Sequence, residues 1–168
     1  DDPLREVLSK TAAKQVCRLT EMGTQYTPIG KVVSEKSVVN GIVALLATGG
    51  STNLTMHIVA AARAAGIIVN WDDFSELSDA VPLLARVYPN GHADINHFHA
   101  AGGMAFLIKE LLEGGLLHED VDTVAGFGLK RYTQEPQVRD GELTWVDGQQ
   151  TSLDDEVLTS LDKPFQNN

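Results

Sequence analysis

The stretch Ala47-Thr48-Gly49-Gly50-Ser51-Thr52-Asn53 lies between two long apolar segments of the chain. Paired glycines let the backbone take a positive φ, which suits the end of a helix. Ser, Thr and Asn side chains accept hydrogen bonds from the open N–H groups of a first helical turn. The stretch therefore predicts a junction where one helix ends and the next begins. The same N–H groups and the helix dipole can bind an anion, so the junction is either plain helix punctuation or an anion site.

Helices are predicted on both sides of this junction. Ser34 is placed to cap the helix before it, whose buried face is formed by Val38, Ile42, Leu45 and Leu46. The helix after it is predicted over 51–65. After its first turn, only His57 and Arg63 are neither apolar nor small. A helix that is apolar on nearly all sides is typical of a buried position, so we expect it at the centre of the fold.

The rest of the chain alternates helical periodicity with turn signals. In chain order we first expect a helix over 3–22 with Asp2 as its N-cap and one apolar face, a buried strand at 67–69 and a helix capped by Asn70. A strand or irregular buried segment follows at 81–87, and then an amphipathic helix with Met104, Leu107, Ile108, Leu111 and Leu112. We expect a hairpin around 142–146 and a last helix within 152–161. This pattern predicts a helix-dominated α/β fold with few short strands. We expect a helix-rich core over 1–120 and an extended or hairpin segment over 121–168.

Composition excludes several classes of protein. The 168 residues are 43% apolar, which is enough for a folded core, and no apolar run is long enough for a transmembrane helix. The formal net charge of -10 argues against a nucleic-acid partner. The single cysteine, Cys17, cannot form an internal disulfide and fits a reducing compartment, so we expect a cytoplasmic protein without a membrane partner.

No motif in the chain identifies a reaction. His97 and His99 are two residues apart, so on a helix they point in different directions and cannot share a metal, whereas on an extended segment they could. Ser51 lacks the Gly-x-Ser-x-Gly pattern of a nucleophile elbow because Asn53 stands where the second glycine belongs. No Gly-Lys-Ser/Thr sequence follows the paired glycines, which excludes a P-loop. We therefore assign no catalytic residue and no metal ligand in this chain.

Several motifs in one order resemble those of the dihydroxy-acid dehydratase and 6-phosphogluconate dehydratase family. They are Val39 to Asn53, Ala64-Ala65-Gly66, Asp72-Asp73-Phe74, Val81-Pro82-Leu83-Leu84, Pro89-x-Gly91, His99-Ala100-Ala101-Gly102-Gly103 and Lys109 to His118. The resemblance covers nearly the whole chain. Four stretches look like the 6-phosphogluconate branch of the family: Ala44-Leu45-Leu46-Ala47-Thr48, Ile68-Val69-Asn70-Trp71, Asp94-Ile95-Asn96-His97-Phe98 and Thr123 to Thr133.

This resemblance implies dehydration of 6-phosphogluconate to 2-dehydro-3-deoxy-6-phosphogluconate, with a dihydroxy-acid or other sugar-acid dehydratase as the alternative. Family members hold an iron-sulfur cluster, [4Fe-4S] or [2Fe-2S], and a magnesium site. Cys17 matches none of the cluster positions, and the family's acidic magnesium motifs are absent. The resemblance therefore implies an internal fragment of the N-terminal domain of a larger dehydratase. We expect it to hold no cofactor and to be inactive alone, and we expect the full-length protein to be a homodimer.

The resemblance also favours substrate contact at the junction. A phosphorylated sugar acid has two anionic ends, and a helix N-terminus suits either of them. The candidate substrate-binding residues are Gly49, Gly50, Ser51, Thr52, Asn53, His97 and His99. The competing interpretation is a non-catalytic scaffold or subunit-interface module, in which helix 51–65 contributes only packing.

Overall fold

A computed structural model describes residues 3–166, and the expected cap Asp2 lies outside them. Within that range the chain folds into seven α-helices, one 3-10 helix at Lys130–Thr133 and two antiparallel two-stranded sheets. The helices are α1 (Pro3–Leu19), α2 (Ile29–Val32), α3 (Glu35–Thr48), α4 (Thr52–Ala64), α5 (Trp71–Ser78), α6 (Ile95–Ala101) and α7 (Gly103–Glu113). The strands are β1 (Asp122–Thr123), β2 (Gly126–Phe127), β3 (Gln134–Arg139) and β4 (Glu142–Asp147). The predicted helix-dominated α/β fold with few short strands is confirmed.

Helix α3 is the central element of the fold. It begins at a capping box, in which the Ser34 side chain accepts from the Ser37 N–H and the Ser37 side chain accepts from the Ser34 N–H. One side of α3 packs on α4 and α5 through a cluster of Val38, Ile42, Leu45, Ala62 and Phe74. Its other side, with Val43 and Ala47, joins the larger core. The predicted cap and buried face of this helix are confirmed.

The larger core combines α3 with α6, α7 and two segments without regular structure. Its buried members are Val43, Ala47, Val81, Leu84, Ala85, Phe98, Ala101, Phe106, Leu107, Leu111, Val157 and Leu158. The segment 81–87 is irregular and buried in part, as one of the two alternatives predicted. Because Val157 and Leu158 belong to this core, residues beyond 120 contribute to it. The division of the chain at 120 stays a prediction.

The amphipathic helix and the hairpin are confirmed. Helix α7 ends before Gly114, and β3 pairs with β4 around the turn at Asp140 and Gly141. Both turn residues have positive φ, 53° and 81°, which is the backbone that a tight hairpin turn requires.

The helix predicted over 3–22 is confirmed as α1, and none of its residues is buried. Three predictions from the sequence are wrong. Helix α4 is not central, since Ala62 is its only buried residue. The predicted strand at 67–69 is irregular, with Ile68 79% exposed. The predicted helix within 152–161 is a series of turns and bridges, because the Thr159 N–H donates to the Leu84 carbonyl and Ala85 pairs with Leu158.

Candidate functional site

The junction between α3 and α4 has the predicted geometry. Gly49 caps α3 in the left-handed conformation with φ 56°. Its N–H donates to the Leu46 carbonyl over 3.1 Å, and the Gly50 N–H donates to the Leu45 carbonyl over 3.0 Å. These bonds satisfy carbonyls at the end of α3 that have no partner within the helix. The helix-to-helix junction predicted from the sequence is confirmed.

Ser51 starts α4, and the residues beside it offer unused donors. The Ser51 side chain accepts from the Asn53 N–H over 3.2 Å. Ser51, Thr52 and Asn53 are all exposed. Within residues 3–166, the N–H groups of Ser51 and Thr52 and the side chains of Thr52 and Asn53 have no hydrogen-bond partner. This first turn therefore has hydrogen-bond donors available to a ligand.

The segment 84–90, which is distant in sequence, contacts the end of α3 and Gly49. The Leu84 and Ala85 N–H groups both donate to the Ala47 carbonyl, over 2.7 and 3.2 Å. The Asn90 side chain donates to the Ala85 carbonyl over 3.2 Å and packs directly on Gly49. A Cβ atom on Gly49 would lie 2.9 Å from Asn90 Cγ. Sequence reasoning missed Asn90, because no local pattern shows which residue contacts Gly49.

His97 belongs to the cap of α6. The Asp94 carboxylate accepts from the N–H groups of Asn96 and His97 over 2.8 and 3.1 Å. His97 Nδ1 lies 2.9 Å from the same carboxylate oxygen. The backbone N–H of His97 is the main cause that lowers the pKa of Asp94. These capping contacts account for the spacing of Asp94 and His97 in the sequence.

His99 lies on the same helix and is not brought together with His97. Both imidazoles are exposed, and the helical spacing turns them in different directions. His99 Nδ1 would lie 3.4 Å from a Cβ atom on Gly103, which places its ring over the start of α7. The two histidines therefore remain separate candidates for substrate contact and do not form one site.

Asn90, which packs on Gly49, also lines a cleft of about 720 Å³. Its walls come from the segment 83–93 and from residues near the described C-terminus. The polar residues that line it are Arg86, Asn90, His92, Asp155, Glu156 and Gln166. Sequence reasoning missed this cleft, because its two walls are about 70 residues apart and neither carries a motif that indicates binding.

The described residues do not fit a metal cluster. Cys17 is exposed on α1, and an iron-sulfur cluster needs several cysteine ligands. Residues 3–166 contain no group of three or more His, Cys, Asp or Glu side chains placed to hold a metal ion. None of the described helices is long and apolar enough to cross a membrane.

Comparison with known proteins gives a consistent family. The family described as "Dihydroxy-acid/6-phosphogluconate dehydratase N-terminal" matches residues 1–132. The chain is 66% identical over 165 residues to a phosphogluconate dehydratase of Escherichia coli strain K12, and 61% identical over 163 residues to one of Pseudomonas aeruginosa. These alignments cover 98% and 97% of the chain and 27% of each relative.

A member of the other branch is less similar. The chain is 35% identical over 143 residues to a chloroplastic dihydroxy-acid dehydratase of Arabidopsis thaliana, across 84% of the chain and 23% of the relative. The resemblance to the phosphogluconate branch that the motifs indicated is confirmed. The chain spans about a quarter of the length of the curated relatives it matches.

Proposed function

Because this chain belongs to the dihydroxy-acid/6-phosphogluconate dehydratase family, we propose that its full-length protein is a hydro-lyase that dehydrates 6-phospho-D-gluconate. The product is 2-dehydro-3-deoxy-6-phospho-D-gluconate, and the reaction belongs to the Entner-Doudoroff pathway. The observation that carries this proposal is the 66% identity to a phosphogluconate dehydratase over 98% of the chain.

The reaction removes a proton from C2 and the hydroxyl from C3 of the sugar acid, and the resulting enol becomes a ketone. Hydroxide is a poor leaving group, so an electrophile at the C3 oxygen lowers the barrier. When bound, an iron-sulfur cluster supplies that electrophile. We propose that the cluster and a magnesium ion are held by residues outside the described ones, since Cys17 is the single cysteine of the chain and residues 3–166 contain no triad of metal ligands.

The part that this chain plays is binding and orientation of substrate. Unused donors of Ser51, Thr52 and Asn53 point from the first turn of α4, where the helix dipole favours an anionic group. Gly49 and Gly50 connect the end of α3 to this first turn of α4. His97 and His99 are further candidates for contact with the substrate. None of these residues is assigned a proton transfer.

A coupled assay tests the proposed reaction. The full-length protein should convert 6-phosphogluconate to a product that a 2-dehydro-3-deoxy-6-phosphogluconate aldolase cleaves to pyruvate. The 168-residue chain alone should give no pyruvate, because its residues do not fit the metal centre. If a dihydroxy acid or an unphosphorylated sugar acid gives the higher kcat/KM, the alternative substrate class replaces this one.

The role of the junction is tested separately. In the full-length protein, Ser51→Ala with Thr52→Ala should raise the KM for 6-phosphogluconate. The melting temperature should fall slightly, because Ser51→Ala removes the side-chain cap of α4. A KM that does not change would leave the junction with only its role as a helix cap and connection.

A second candidate role is a scaffold or subunit interface, and the exposure of α4 favours it. Leu54 and Met56 are 45% and 60% exposed although α4 is rich in apolar residues. The two roles can coexist, since substrate would meet the first turn and a partner the later turns. We propose a homodimer in the cytoplasm, with no nucleic-acid or membrane partner, in agreement with the negative charge and the single cysteine.

A further inference from the structure

We propose that the cleft between the segment 83–93 and residues 155–166 binds a polyhydroxylated anion, and that the Arg86 guanidinium receives its phosphate or carboxylate group. The cleft measures about 720 Å³, which lies within the usual range for small-molecule sites. It lies next to the proposed substrate site, because Asn90 lines it and also packs on Gly49.

Arg86 is held in place by contacts that leave its donors available. Its guanidinium carbon lies 4.4 Å from the ring centroid of Phe165, and its backbone N–H donates to the Val157 carbonyl over 2.9 Å. Stacking on an aromatic ring uses the face of the guanidinium and leaves its in-plane N–H groups free. These groups form the planar fork that matches the two oxygens of a carboxylate or phosphate.

No described residue uses that fork. The Arg86 side chain has no hydrogen bond and no ion pair with any residue in 3–166, although Asp155 and Glu156 line the same cleft. The guanidinium is always charged at physiological pH. In a chain of net charge -10, this is a cation available to an incoming anion.

The remaining polar residues favour a hydroxylated anion over a simple one. His92 and Asn90 are on the same chain segment as Arg86, and Asp155 and Glu156 come from the other wall. The two carboxylates repel any anion, but they also accept hydrogen bonds from hydroxyl groups, which a simple inorganic anion lacks. A ligand with an anionic end and several hydroxyls therefore fits both walls.

Backbone hydrogen bonds fix the two walls relative to each other. The Phe165 N–H donates to the Leu83 carbonyl over 2.9 Å, and the Thr159 N–H donates to the Leu84 carbonyl over 2.8 Å. A site of fixed shape loses less entropy when it binds a ligand. That the anion is the phosphorylated end of a sugar acid, rather than some other hydroxylated anion, rests on the proposed function.

The test measures binding by the full-length protein with titration calorimetry, using 6-phosphogluconate, gluconate and inorganic phosphate as probes. Arg86→Ala should weaken binding of 6-phosphogluconate about 10- to 100-fold, the loss typical of a charged hydrogen-bonded contact. Arg86→Lys should keep part of the affinity, because it retains the charge without the fork. If Arg86 receives phosphate, gluconate binding is unchanged; if it receives carboxylate, gluconate binding falls equally.

Arg18→Ala is the matched control, since Arg18 is an exposed arginine on α1 without a side-chain partner among the described residues. Arg86→Met keeps the aliphatic stem against Phe165, so it tests the loss of the guanidinium in a variant that should still fold. Parent-like affinity for 6-phosphogluconate in folded Arg86→Met overturns the inference, as does an equal loss in Arg18→Ala. Arg86-dependent binding without turnover would refute only the proposed reaction. Turnover with unchanged affinity in the Arg86 variants would refute only the role of Arg86.

Discussion

Gly49 is the residue at which backbone conformation and packing impose the same requirement. Any other residue at this position must keep the backbone φ of 56°, and its side chain must also fit against Asn90. We expect Gly49→Ala to lower the free energy of unfolding by about 2 to 4 kcal/mol, from left-handed strain and overpacking together. Chemical denaturation of the parent and the variant measures this loss.

Gly66→Ala separates the two causes. Gly66 also has positive φ, 80°, but nothing lies within 4 Å of a Cβ atom placed there. Its substitution should cost about 1 kcal/mol, which is the strain alone. Asn90→Ala combined with Gly49→Ala should recover part of the additional loss. Equal losses in Gly49→Ala and Gly66→Ala would show that Asn90 does not constrain the junction.

Asp94 makes the stability of α6 depend on pH. Hydrogen bonding from the His97 backbone lowers the pKa of its carboxyl in the folded state. A lowered folded pKa stabilises the fold above the unfolded pKa, near 3.8, and this contribution is lost as the pH falls through the folded value. Asp94→Asn keeps an acceptor for the cap but does not titrate. The melting temperature of the parent minus that of Asp94→Asn should therefore fall as the pH drops below about 4.

Glu6 and Asp120 also have lowered pKa values, through Lys10 and Lys36. Their effect is the same in the parent and in Asp94→Asn, so it cancels in the difference. A difference that does not change with pH would show that the Asp94 carboxylate adds nothing beyond an uncharged acceptor.

Caps could be predicted from the sequence at residue scale, and the cleft could not. Ser34, Ser51 and Asn70 each accept from N–H groups two or three residues away, so the local sequence contains both partners. Arg86 depends on Phe165, and Asn90 depends on Gly49. No periodicity joins residues so far apart, and only the fold brings them into contact.

At the scale of elements, α4 shows the limit of reasoning from apolar composition. Such a composition indicates that a helix will be covered, but not by what. Within the described residues, α3 and α5 cover only the side that contains Ala62, Ile58 and Val59. The sequence therefore predicted the existence of the helix correctly and its position wrongly.

A pair of leucine substitutions tests this position of α4. Leu107 on α7 is 0% exposed and Leu54 on α4 is 45% exposed. Leu107→Ala should lower the free energy of unfolding of the 168-residue chain by about 2 to 5 kcal/mol, through lost burial and a cavity. Leu54→Ala should change it by no more than about 0.5 kcal/mol. Similar losses for both, measured by urea denaturation, would contradict a peripheral α4.

At the scale of the whole molecule, the surface is larger than the mass requires. The solvent-accessible area is 10765 Å². A compact monomer of 18.1 kDa exposes about 8,100 Å². The surplus of roughly 2,700 Å² on this one chain is about three times the area, about 800 Å², that each partner buries in a standard protein–protein interface. Part of it is apolar, including Met56, Ile68 and Trp71.

This surplus predicts that the 168-residue chain associates with itself. Its mass by light scattering should exceed 18.1 kDa and rise with concentration. Ile68→Glu combined with Trp71→Glu should return it toward the monomer, since a charge in an apolar contact is costly. Arg5→Gln with Lys14→Gln, both exposed on α1, changes the net charge by the same amount without removing apolar surface, so it should leave association unchanged. Association that both pairs abolish would be due to charge, and a monomer at every concentration would remove the support that exposed apolar surface gives to the interface role of α4.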